Sequence, residues 1–181
     1  MFVEPCALPP VPDYARVDDD ILNNVRARLI GGAGTVRSAL DRAFRAMERR
    51  QPAIASFVAH DLADIEGPAA QGVGYYLAVL VVDAFEEAFG GRLGCVELSD
   101  LHGALDCLIA DGEVRVSSAS FYSEDALALG QPALMKLLRA EIERTLPAAD
   151  GGKEDPSQLD TFYETLLVLI VALTQAVVPS R

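Results

Sequence analysis

The chain holds 181 residues, 15 Lys and Arg against 27 Asp and Glu for a net charge of -12, and 51% hydrophobic side chains. That apolar content excludes disorder over most of the chain, and at this length a core needs neither disulfide nor metal, since a domain of about 150 residues buries roughly 68–70% of its unfolded surface. The acidity excludes broad nucleic-acid binding, which requires a concentrated positive field.

The first segment, MFVEPCALPPVPDY, has no basic region and no unbroken apolar run. It reads as an extended, proline-rich arm over 1–17 rather than as a secretory signal. Asp20 is placed to N-cap a helix over 21–30, which Gly31 and Gly32 end. A second helix over 35–50 carries Val36, Leu40, Phe44 and Met47 on one stripe and arginines elsewhere, the pattern of an amphipathic surface helix. Pro52 opens a third helix to residue 66, with Ile54, Phe57, Val58, Leu62 and Ile65 directed inward, and Gly67 stops it. Pro68 starts a fourth, over 68–89, whose middle is apolar on nearly all sides and which is therefore central. Its run YYLAVLVV over 75–82, like LLVLIVAL over 166–173, is eight residues long, whereas a membrane span needs about 20. No membrane contact is expected. Cys6, Cys95 and Cys107 are odd in number, far apart and without a CxxC pair, which points to reduced thiols and a cytoplasmic protein.

The second half replays these signals. At an offset of 79, Leu22, Leu29 and Ile30 fall on Leu101, Leu108 and Ile109, and the caps Asp20 and Ser99 coincide. At 80, Gln51-Pro52-Ala53-Ile54 falls on Gln131-Pro132-Ala133-Leu134, and Phe57, Val58, Asp61 and Leu62 fall on Leu137, Leu138, Glu141 and Ile142. An insertion of eight residues in the polar stretch 148–155 then gives an offset of 88, pairing Pro68, Tyr75, Ala84 and Ala88 with Pro156, Tyr163, Ala172 and Ala176. The second unit's second helix is short, over 123–129. Before it, 113–122 is ambiguous: Val114 and Val116 alternate as in an extended segment, while the serines suit a loop. The expectation is a single all-α domain over 18–181, a bundle of about eight helices in two similar four-helix units (18–90 and 96–178) about a pseudo-two-fold axis.

Three acids fall on apolar helix faces. Asp61 shares the stripe of Ile54, Val58 and Ile65, Glu141 holds the matching place among Leu134, Leu138 and Ile142, and Asp83 lies in the most apolar helix. A buried carboxylate needs an arginine, a tyrosine hydroxyl, a helix N-terminus or a metal, and Tyr75 and Tyr163 are the candidate hydroxyl donors. Converging, Asp61, Asp83 and Glu141 would form a carboxylate metal site of the helical-bundle kind; as separate structural ion pairs they would not. His60 with Asp64 and His102 with Asp106 have i, i+4 spacing, but no Glu-x-x-His accompanies them and His60 points away from the apolar stripe. Gly31-Gly32-Ala33-Gly34-Thr35 follows a helix rather than a strand and lacks the Walker and dinucleotide patterns, so it reads as a connection between helices. No GxSxG elbow is present, and no cysteine has a base near it in sequence.

One charge pattern stands out. Residues 26–50 carry Arg26, Arg28, Arg37, Arg42, Arg45, Arg49 and Arg50 against Asp41 and Glu48, and Arg42, Arg45 and Arg49 share a helix face at i, i+3 and i+7. The expected function is a non-enzymatic protein-protein interaction or self-associating module, using Arg42, Arg45 and Arg49, with no cofactor. The alternative is a metal-binding or hydrolytic bundle that uses the inward acids.

Overall fold

The computed structural model describes residues 8–31, 35–63, 65, 68–116, 127–128, 130–149 and 156–180, and these are all-helical, with no strand among them. Seven α-helices are delimited among the described residues, in chain order: α1 (Asp19–Gly31), α2 (Val36–Arg50), α3 (Pro52–Ala63), α4 (Pro68–Phe89), α5 (Leu98–Val116), α6 (Pro132–Ala149) and α7 (Pro156–Ala176). No helix among the described residues is long and apolar enough to cross a membrane.

Prolines mark the starts. Pro52, Pro68, Pro132 and Pro156 each occupy the first helical position, where the missing N–H removes a donor that has no intrahelical acceptor. The other helices use side chains and charge. Thr35 caps α2, its Oγ1 accepting from Ser38 N at 3.2 Å. α1 begins at Asp19, ahead of the expected residue 21, and the acids Asp19 and Asp20 sit in its first turn, where the helix dipole favours them. At α5 the expected cap, Ser99, lies inside the helix. Glu97 takes the cap position instead: its carbonyl accepts from Leu101 N at 3.3 Å, and its own N–H donates to Asp100 Oδ2 at 2.8 Å, one half of a capping box.

Two ends depart from the sequence reading. α3 stops at Ala63, and Glu66, its expected last residue, lies outside the described residues. α5 continues to Val116, so 113–116 are helical and the extended alternative is incorrect there; 117–122 and the short helix over 123–129, apart from helical Leu127 and Ala128, fall outside the described residues. The physical reason is burial. Leu101, Ala104 and Leu108 recur at helical spacing on the face of α5 that packs against α7, which commits the segment to a helix before the valines are reached.

α4 and α7 pack against each other at the centre. Leu77, Leu80, Val81, Ala84 and Phe85 of α4 and Leu166, Leu169, Ile170 and Leu173 of α7 are fully buried. α1, α2, α3 and α6 pack on α4, while α3 and α5 pack on α7. Thus α6 reaches across to α1 and α4, and α3 reaches across to α5 and α7. The arm does not extend into solvent over its described part: Leu8, Ala15 and Val17 are buried, and Pro9 to Pro12 lie by Leu127 and the Val171 to Gln175 end of α7. Gly90, at φ +50, takes the left-handed conformation that ends α4, and an antiparallel bridge from Leu93 to Val177 ties the following segment to the end of α7.

Two buried glutamines hold the lead-in segments. Gln131, fully buried, accepts from Val17 N at 3.0 Å and donates to Ala15 O at 2.6 Å and to Thr174 Oγ1 at 3.3 Å. Gln51 accepts from Val96 N at 2.8 Å and donates to Gly94 O at 3.0 Å. Ala15 and Val17 precede α1; Gly94 and Val96 precede α5. Each amide therefore satisfies one backbone donor and one backbone acceptor in the segment that leads into a helix.

Candidate functional site

The site is built around α2, which crosses the surface between two depressions. Its outer ridge carries Arg42, Arg45 and Arg49, all exposed, and none forms an ion pair among the described residues. Other arginines of the same basic segment are engaged. Arg26 Nε lies 2.7 Å from Glu141, Arg28 contacts Glu87 at 2.5 Å and Asp83 at 3.3 Å, and Arg50 pairs with Glu86.

On one side of the ridge, Arg28, Arg42, Arg50, Asp83, Glu86 and Glu87 line a charged depression of about 490 Å³ between α1, α2 and α4. Burial pushes the Asp83 carboxyl up, and Arg28 offsets part of that rise. The Arg28 guanidinium is held above its ordinary value: burial lowers it, and the carboxylates of Glu87 and Asp83 outweigh that effect. On the other side lies an open groove of about 1200 Å³. Its apolar walls come from Leu40 and Phe44 of α2 and Val73, Tyr75 and Val79 of α4, with the exposed Ile30 and Val36 at one end. Phe44 meets Tyr75 edge to face at 5.3 Å. Although α2 is strongly amphipathic, Met47 is its sole fully buried residue, because the groove leaves Leu40 and Phe44 half-covered.

Tyr76 and Arg144, which line the groove, both contact Glu141 of α6, 3% exposed yet charged. Tyr76 donates to it at 3.2 Å, Arg144 lies at 2.6 Å and Arg26 at 2.7 Å. Burial alone would raise this carboxyl; the hydrogen bonds and charges of Arg144 and Arg26 win and hold it below the usual range. Burial and the neighbouring Glu141 push the Tyr76 phenol up to about 12, so it stays a donor at neutral pH. Such a carboxylate would cost several kcal/mol if left unpaired, and here three donors from three helices compensate it.

The three acids singled out from sequence are each engaged separately. Asp61, half-buried on α3, accepts from Thr165 Oγ1 of α7 at 3.0 Å, Asp83 faces Arg28, and Glu141 faces Arg26, Arg144 and Tyr76. The described residues contain no group of three or more His, Cys, Asp or Glu side chains placed to hold a metal ion. His60 and His102 are exposed, and Asp64 and residues 32–34 lie outside the described residues. The tyrosine that donates to Glu141 is Tyr76 rather than Tyr75. Tyr75 turns to Phe44 instead, because one residue is a rotation of about 100° on a helix. Sequence reasoning also missed the roles of Arg26, Arg144, Gln51 and Gln131; the Gln-Pro recurrence was visible, but not what the amides would bind. Comparison with family models, curated proteins and solved structures finds no match for this chain.

Proposed function

We propose that the chain is a non-enzymatic interaction module and that α2 is its recognition surface for another protein chain. The observation that carries the reading is the condition of α2: a helix patterned to bury one side keeps Leu40 and Phe44 half-covered above an open groove, beside Arg42, Arg45 and Arg49, which have no ion pair among the described residues. An apolar centre flanked by arginine is the composition on which protein interfaces concentrate their binding energy. The same segment is the basic island of an acidic chain, which orients an approaching partner towards it.

The scaffold beneath, in this proposal, is one domain over 18–181, with an arm over 1–17, made of two similar halves (18–90 and 96–178) about a pseudo-two-fold axis. Support comes from hydrogen bonds that recur at the repeat offsets. Leu22 N to Asp18 O matches Leu101 N to Glu97 O, Gln51 N to Met47 O matches Gln131 N to Leu127 O, and Ala55 N to Gln51 O matches Met135 N to Gln131 O. The glutamine amides add a reciprocal feature. Gln51 of the first half holds Gly94 and Val96, and Gln131 of the second half holds Ala15 and Val17, the positions 79 residues earlier. Likewise Asp61 receives a hydroxyl from α7, and its counterpart Glu141 receives one from α4. Each half thus completes the other, which fixes the α4/α7 centre and leaves α2 free to serve recognition.

A photo-crosslinking residue at Arg49, with a control at the exposed Ser99 of α5, tests the surface in cells. The expected result is a discrete protein adduct from position 49, weakened by Arg42→Glu/Arg45→Glu and not seen from position 99. No adduct from position 49, or one indifferent to the charge reversal, refutes it.

A further inference from the structure

The groove-facing edge of α2 carries a row of four exposed charges, Arg37, Asp41, Arg45 and Glu48, spaced by four, four and three residues and so aligned on one face. Their signs alternate. None of the four forms an ion pair among the described residues, although Arg37 with Asp41 and Asp41 with Arg45 stand at i, i+4. Beside the row run Leu40 and Phe44, half-buried on the groove wall.

An alternating row sums to zero, so a uniformly acidic or basic partner gains little from it. A partner with the opposite alternation gains at every position, and reversing the row end to end produces that alternation. We infer that the groove edge of α2 is a self-recognition surface, on which a second copy of this chain docks its own α2 antiparallel about a two-fold axis. The inference rests on the reading of α2 as the recognition surface and names its occupant. In this register Arg37 faces Glu48 of the second copy and Asp41 faces Arg45, and by symmetry each pair forms twice. Leu40 of one copy then lies beside Phe44 of the other, and the axis passes near residues 42 and 43. The row spans about 16 Å of helix at 1.5 Å per residue, so the pairing engages three turns. A parallel arrangement would set like on like, Arg37 against Arg37, and is repelled. A two-fold contact needs a patch complementary to itself, which this row supplies. Two copies of net charge -12 repel each other overall, and the four-charge row, which sums to zero, adds nothing to that repulsion.

Sedimentation velocity over a concentration series tests this with the full chain, using wild type, Asp41→Arg, Arg45→Asp and the exchanged pair Asp41→Arg/Arg45→Asp. All positions are exposed, and circular dichroism establishes that each variant is folded. The expected result is a reversible wild-type dimer, at least about tenfold weaker in each single variant because two like-charge contacts replace two attractive ones, and restored in the exchanged pair. A wild type that remains monomeric overturns the inference. If position 49 then still crosslinks to a different protein, the recognition surface stands and only its occupant is wrong. A dimer indifferent to the single reversals, or one that the exchange fails to restore, overturns it as well.

Discussion

Replacing Gln131 by alanine removes the amide that accepts from Val17 N and donates to Ala15 O and Thr174 Oγ1. Val17 is 3% exposed and Ala15 is fully buried, so water does not readily replace the lost partner on either backbone group. A buried donor or acceptor left unmade costs about 1–3 kcal/mol, which gives about 2–6 kcal/mol for the two, and the vacated volume adds to it. A central value of about 4 kcal/mol is a large fraction of the 5–15 kcal/mol typical of a folded domain. Gln51→Ala breaks the matching pair of bonds, but Gly94 is only partly buried, so about 2–3 kcal/mol is expected. Urea unfolding gives both values, and an unchanged m separates a destabilised fold from one whose arm has already detached. Amide exchange adds a site-specific reading: Val17 loses protection in Gln131→Ala while Val96 keeps it, and Gln51→Ala reverses the pattern. A cost below about 1 kcal/mol for Gln131→Ala, or a Val17 amide protected as in wild type, refutes the clamp.

Glu141 and Asp83 give opposite pH signatures. The folded Glu141 carboxyl is held low, so its stabilisation is present above the ordinary glutamate value of 4.5 and is lost as pH falls through the folded value; Glu141→Gln should flatten the acid limb of urea midpoint against pH. The folded Asp83 carboxyl is raised, so stability falls as pH rises from the ordinary 3.8 through the folded value, and Asp83→Asn should steepen the acid limb over that range. Tyr76→Phe leaves Glu141 its two arginines, so it should cost only about 0.5–1.5 kcal/mol in urea unfolding while abolishing the phenol titration near pH 12. Gly74→Val places a Cβ 2.7 Å from Leu62 Cδ2 and 3.2 Å from Phe162, where α3, α4 and α7 meet, and a loss of about 1–3 kcal/mol by thermal unfolding is expected. The triple variant Arg42→Glu/Arg45→Glu/Arg49→Glu should change folding stability by no more than about 0.5 kcal/mol per site, and a larger loss in urea would mean that the ridge serves the fold.

Local physics made most of the helices legible. A proline at the first helical position needs no partner beyond its own chain, which is why Pro52, Pro68, Pro132 and Pro156 mark their starts correctly. Thr35 acts within one turn, and the all-round apolar middles of α4 and the segment 166–173 leave a central position as the one place that hides every face. The recurrence of Gln-Pro and of an inward acid was likewise present in the residues themselves.

What each buried polar group meets was decided only by tertiary packing. Gln131 reaches residues 114 and 116 positions away, Arg26 reaches Glu141 across 115, and Thr165 reaches Asp61 across 104. Helical periodicity reports which way a side chain faces, not what stands opposite. It therefore placed Asp61 and Glu141 on inward faces, yet could not distinguish a shared metal site from separate hydroxyl and arginine partners, nor Tyr76 from Tyr75. The exposed charges of α2 are the converse case. Their alternation is written in the sequence, but only the packing of α2 beside an open groove leaves that row facing solvent next to a half-covered Leu40 and Phe44.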